Sequence, residues 1–207
     1  MRALVLSMLA LAVMAAPAQA QFRQQTPEQG GLGFTVDVMF SRLGGDAFDG
    51  IGNGYGVVGT VFYELDGLPL RFGGGGSYAR YSTEGPGDAL SRVSVFAMGA
   101  VQVADINTPV VPYIMGKVGY TRTTDDELCD PVICVVDDLE GREWSGIELG
   151  AVVGVDIPLT PSVNIDVAGS FSWLSLGDLE AGGQTIDNTK NTSSAFGFQA
   201  GFTVFPG

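Results

Sequence analysis

Histidine is absent from the 207 residues, which removes the commonest general base, the Ser-His-Asp and Cys-His arrangements and most zinc sites. Basic residues are scarce. Ten Lys and Arg stand against 23 Asp and Glu, a formal charge of −13, so phosphate backbones would be repelled and nucleic-acid binding is excluded. Charged residues make up only 16% against 45% hydrophobic, and mean hydropathy is +0.25, a balance that a disordered chain does not have. After residue 20 every apolar stretch is short and broken by Gly, Asp or Ser, so a spanning helix is excluded and any membrane crossing must be made by strands. Glycine, in contrast, is abundant at 31 residues without a three-residue period, which excludes collagen and favours a glycine-tolerant sheet.

Residues 1–20 read as a secretory leader: Arg2, the apolar run Ala3 to Ala16, then Pro17 and the small-residue exit Ala18-Gln19-Ala20. The run of 14 residues is short of the ~20 that a membrane anchor needs. Loss of Arg2 with the leader takes the charge from −13 to −14. Residues 21–32, with Pro27 and several glutamines, form a flexible lead-in to one domain over 33–207. Cys129 and Cys134 are the only cysteines, and export to an oxidising compartment makes a disulfide the natural pairing. A two-cysteine metal site is the rival, but the ligand count falls short.

From Gly33 onward the chain falls into eight segments of about 10 residues with period-two alternation, each bounded by Gly, Pro, Asn or Asp. In the first, Phe34, Val36, Val38 and Phe40 oppose Thr35, Asp37 and Met39. In the sixth, Ile147, Leu149, Ala151, Val153, Val155 and Ile157 oppose Glu148 and Asp156. Connectors alternate as well. Long polar stretches (41–53, 82–90, 123–143, 175–193) take turns with tight links (64–69, 104–110, 158–162). The pattern predicts an all-β, eight-stranded antiparallel up-and-down transmembrane barrel.

Alternation alone does not say which face is outside, because a soluble periplasmic barrel binding a small apolar ligand has the same period turned inside out. Two features favour lipid outside. Strands of ~10 residues at ~3.4 Å per residue and ~40° tilt span roughly 25 Å, the height of an outer-membrane apolar band. Aromatic residues on the apolar face gather toward strand ends (Phe34, Phe40, Tyr55, Tyr63, Phe72, Tyr78, Tyr120, Trp173), as interfacial girdles require.

Residues 33 to 205 resemble the small eight-stranded outer-membrane barrels of Gram-negative bacteria, the porin-like class that includes outer-membrane proteins A, X and W. The string Pro112-Tyr113-Ile114-Met115-Gly116-Lys117-Val118-Gly119-Tyr120 is similar to the Pro-Tyr…Gly-x-Gly-Tyr strand of many such barrels. The ending Gln199-Ala200-Gly201-Phe202-Thr203-Val204-Phe205 resembles the terminal strand read by the barrel-insertion machinery, although Pro206-Gly207 follows it. The resemblance implies a monomer in the bacterial outer membrane. Its partners would be membrane lipids and lipopolysaccharide, and no cofactor or peptidoglycan-binding domain is expected. Enzymes of this barrel class use His with Ser or Asp near the outer rim, so this chain is expected not to be an enzyme.

On the polar faces lie Asp37, Arg71, Arg92, Lys117, Glu148 and Asp166, with Lys117 and Glu148 on consecutive strands. An unpaired charge inside a narrow barrel is costly, so these six are expected to link across the lumen and plug it; a narrow ion channel is the alternative. Residues 123–143 hold eight acids (Asp125, Asp126, Glu127, Asp130, Asp137, Asp138, Glu140, Glu143) against Arg142, a net of −7. Divalent-cation binding at the lipopolysaccharide surface and capture of a surface partner are both open for this loop. So is a merely solvated loop. The acidity also fits a saline habitat.

Overall fold

Period-two segments rich in valine and aromatic side chains become long strands, and the polar, glycine-bearing connectors become turns and loops. The computed structural model describes residues 31–45, 48, 51–83, 89–103, 109–126, 143–177, 179–181, 184–186 and 192–206. Eight long strands, β1 (Leu32–Gly44), β2 (Ile51–Glu64), β3 (Leu70–Thr83), β4 (Ala89–Gln102), β5 (Val111–Asp126), β6 (Glu143–Thr160), β7 (Val163–Leu176) and β10 (Thr192–Val204), alternate in direction. Each pairs antiparallel with its neighbours, and β1–β10 and β5–β6 pairings complete the ring. The barrel is closed. Its seam runs in unbroken register from Phe34↔Val204 to Gly44↔Ser194, so the chain ends leave no sheet edge there.

The strands are 13 to 18 residues long, not ten. Pairing continues past the band of alternation into the stems of the long connectors, where both faces are polar and the two-residue signal fades. The stretch from Ser175 to Ser193, read from sequence as a plain connector, contains the short strands β8 (Leu179–Ala181) and β9 (Gln184–Ile186), and β8 pairs with β6 at Glu143↔Glu180. At the opposite rim, Asp66 and Gly67 make the tight β2–β3 turn, with Gly67 at φ 66°, a left-handed conformation that favours glycine. β6 continues through Pro158 to Thr160, with a register shift there, and leaves only Pro161 and Ser162 in the turn.

Burial inverts the soluble pattern. Val36, Val38, Tyr55, Val95, Val153 and Phe202 are exposed, while Asp37, Glu148, Asp156 and Asp166 are 0–2% exposed. Val167 is half-exposed between buried Asp166 and Ala168, which places it on the outer wall too. The inside-out barrel is therefore excluded: the apolar rows face outward, where only hydrocarbon can cover them.

The lumen is filled, and less polar than its sequence suggested. Toward the turn rim Phe62, Phe96, Met98, Tyr113 and Met115 cluster; toward the loop rim Leu43, Phe48, Tyr81, Leu90, Leu174 and Leu176 do. These rings fit because their lateral neighbours lack side chains. Phe62 lies between Gly33 and Gly73, Phe96 between Gly75 and Gly119, and Tyr81 beside Gly54. A Cβ on Gly54 would collide with the Tyr81 ring, and one on Gly33 with the Phe62 ring.

Candidate functional site

All six charges singled out from the sequence point into the lumen, and the fold gathers them into two levels. The level nearer the loops centres on Glu148 of β6, which has no exposed surface. Arg92 Nη2 of β4 donates to its Oε2 at 2.6 Å, while Lys117 Nζ of β5 and Ser172 Oγ of β7 each donate to its Oε1 at 2.7 Å. Four strands are thereby tied at one carboxylate. Arg92 Nε also donates to Thr121 Oγ1 at 3.1 Å, and Ser94 Oγ to the same oxygen at 2.9 Å. Lys117 Nζ sits 5.1 Å from the centre of the Phe96 ring, so its charge meets a π-face on one side and a carboxylate on the other.

The level nearer the turns is acidic. Arg71, at the start of β3, donates from Nη1 to Asp156 Oδ2 at 2.6 Å and from Nε to Glu64 Oε2 at 3.2 Å. Its guanidinium stands 5.0 Å from the Phe62 ring centre and 5.8 Å from that of Phe205. Asp166 accepts from the Tyr113 hydroxyl at 2.8 Å, and Asp37 from Gln199 Nε2 at 3.3 Å. Thr35 and Thr203 hydroxyls bond at 2.9 Å across the β1–β10 seam. Arg71, Asp37, Asp166, Tyr113 and Gln199 line a cavity of about 30 Å³, space for one or two water molecules. Among the described residues, one oxygen on each of Asp37, Asp156 and Asp166 has no hydrogen-bond partner, so this level has more acid than its one guanidinium matches.

Alternation puts Asp37, Arg71, Arg92, Lys117, Glu148 and Asp166 on one face of the sheet, but it cannot pair them. Lys117 and Glu148 meet as neighbours on adjacent strands; Arg92 reaches Glu148 past an intervening strand. In the sequence Glu64 belongs to the tight link 64–69, yet pairing across Asp66-Gly67 sets it directly opposite Arg71. Tyr113 stands in the sequence only as part of a family-like string, and the position of Asp166 two strands away shows its role. Residues 1–30, Cys129, Cys134 and the acids Glu127, Asp130, Asp137, Asp138 and Glu140 lie outside the described residues, as do the side chains of Asp125, Asp126 and Glu143.

No family model and no curated protein sequence matches the chain. Solved structures do. Neisserial surface protein A is 21% identical at a TM-score of 0.60, over 86% of this chain and 99% of that one. The attachment invasion locus protein Ail of Yersinia pestis and a major outer membrane protein of Thermus thermophilus are each 14% identical at 0.51, over 84% of this chain and 99% of theirs. At such identities the likeness is one of fold. That fold is the small eight-stranded outer-membrane barrel, and the apolar exterior is the surface which a bacterial outer membrane demands.

Proposed function

We propose, for a chain with the fold of the small eight-stranded outer-membrane barrels, a structural and surface-interaction role: a plugged, non-enzymatic and monomeric anchor that displays its long loops outside the cell. The filled lumen carries this reading. Ion pairs at two levels and two apolar clusters occupy it, and the cavity beside Arg71, Asp37 and Asp166 is about 30 Å³, too small for a solute. Business would lie in the loops, above all 123–143 with its net charge of −7. Residues 199–205, which take in the end of β10, would be the segment that the insertion machinery reads.

Planar-bilayer recordings test it. The unaltered protein and the variants Lys117→Met and Glu148→Gln should show no large, stable conductance; a steady open level in the unaltered protein would defeat the plug. A narrow cation path is the second reading, favoured by the acid surplus of Asp37, Asp156 and Asp166 around the cavity. Cation-selective current abolished by Asp37→Asn would support that path.

A further inference from the structure

One short pattern recurs on the outer wall. Phe40-Ser41-Arg42 on β1, Tyr78-Ala79-Arg80 on β3 and Tyr120-Thr121-Arg122 on β5 share a spacing and a face. In each the middle residue is buried in the lumen and the flanking pair points outward: Phe40, Tyr78, Tyr120, Arg42 and Arg122 are exposed, and Arg80 is half-buried. These three strands all run toward the long-loop rim, and the triplets lie near its end.

Register puts the arginines at one level. Arg42 pairs with Asn53 and Arg80 with Tyr55, two residues along on β2; Arg80 pairs with Ser91 and Arg122 with Val93, two residues along on β4. That steady slip is what a horizontal line traces on tilted strands. Neighbouring arginines are two strand spacings apart, about 10 Å. On β7 the equivalent triplet is Trp173-Leu174-Ser175, so the arc spans β1 to β5 and stops. Among the described side chains of the barrel strands, these three are the only charged ones on the outer face, and all are basic in a chain of net −13.

Depth explains the pattern. An aromatic ring on a lipid-facing strand settles at the edge of the hydrocarbon. Two residues further along a tilted strand is about 5 Å nearer the rim, which is headgroup territory. A guanidinium there faces phosphates, and its planar fork takes a phosphate bidentately where an ammonium makes a point contact.

We propose that Arg42, Arg80 and Arg122 form a phosphate-binding arc for the phosphorylated sugar headgroup of lipopolysaccharide, seated against one side of the barrel. This rests on the reading that the long loops face outward, since only then does the arc meet that lipid. The arc is basic where the loops above it are acidic, so headgroup phosphates are drawn to the wall and not to the loops.

The test uses the full mature chain in phosphatidylcholine nanodiscs doped with lipopolysaccharide, with phosphatidylglycerol, or with dephosphorylated lipopolysaccharide. Each Arg→Gln change should weaken lipopolysaccharide binding about fivefold, and the triple R42Q/R80Q/R122Q on the order of a hundredfold. The triple Arg→Lys variant should recover part of the loss. Unchanged heat-modifiable mobility of the triple Gln variant keeps the comparison between folded barrels. Equal binding by that variant and the parent overturns the proposal, as does equal binding to phosphatidylglycerol or to dephosphorylated lipopolysaccharide. Loop proteolysis on intact cells reports orientation separately: protected loops would sink the outward reading, whereas cleaved loops with unaltered triple-variant binding would sink the arc alone.

Discussion

A carboxylate with no exposed surface persists at the centre of a lipid-embedded barrel because three donors converge on it. Glu148 accepts from Arg92, Lys117 and Ser172, and replacing it strands two cations in the interior. Glu148→Gln is expected to cost about 3–5 kcal/mol, read from urea unfolding in lipid vesicles by tryptophan fluorescence. The triple variant Glu148→Leu, Arg92→Met, Lys117→Met should regain most of that, because an apolar replacement leaves no charge uncompensated. Full-cost destabilisation in the triple variant would show that these side chains matter for shape and not for charge. Tyr113→Phe removes the one hydroxyl donated to Asp166 and should cost about 1–3 kcal/mol by the same measurement. At this scale the sequence is half legible: a two-residue period says which side chains share a face, but a partner two strands away depends on barrel width and stagger.

For strands, glycine and aromatic residues have to be considered together. Tyr81 fills the upper lumen because Gly54 beside it has no side chain, and its hydroxyl bonds Ser41 of β1 at 2.8 Å. Gly54→Val should therefore overpack the lumen at a cost of about 1–3 kcal/mol. In a Tyr81→Leu background the same change should cost clearly less, a coupling that a double-mutant cycle measures directly. Additive costs would refute the ring as the obstacle. The polar faces show their charges in the sequence but not Phe62, Phe96 and Tyr81 as lumen fillers: volume in a lumen is shared across strands, and one strand cannot display it. Strand ends are hidden in the sequence for a related reason. Above the apolar band the residues of β5 and β6 are mostly polar on both faces, polarity stops alternating, and only backbone pairing, as far as Thr124↔Glu143, shows that the strands continue.

As a whole, the molecule is a cylinder whose surface order is opposite to that of a soluble protein. Apolar rows cover the outside from Phe34 to Phe40 on β1 and from Ile147 to Ile157 on β6, and the charges sit within. Cell fractionation should recover the chain with the outer membrane, released by detergent but not by high salt; recovery from the soluble periplasm would contradict the burial pattern. Because the ring closes by backbone pairing below the loops, replacing residues 127–142 with a short Gly-Ser link should leave thermal stability within about 0.5 kcal/mol. A large loss would mean that the acidic loop is part of the barrel's support.

Strand number, the alternation of long and short connectors and the set of charges that share one face were determined by the sequence alone, since each depends on a period of two or on local turn chemistry that neighbours in sequence carry. Tertiary structure decided the rest: which face meets lipid, that β1 and β10 close the ring, which acid answers which base, and that arginines from three separated strands share one level. Those are relations between residues tens to more than a hundred positions apart, and they exist only once the stagger of a closed sheet has set heights around the cylinder.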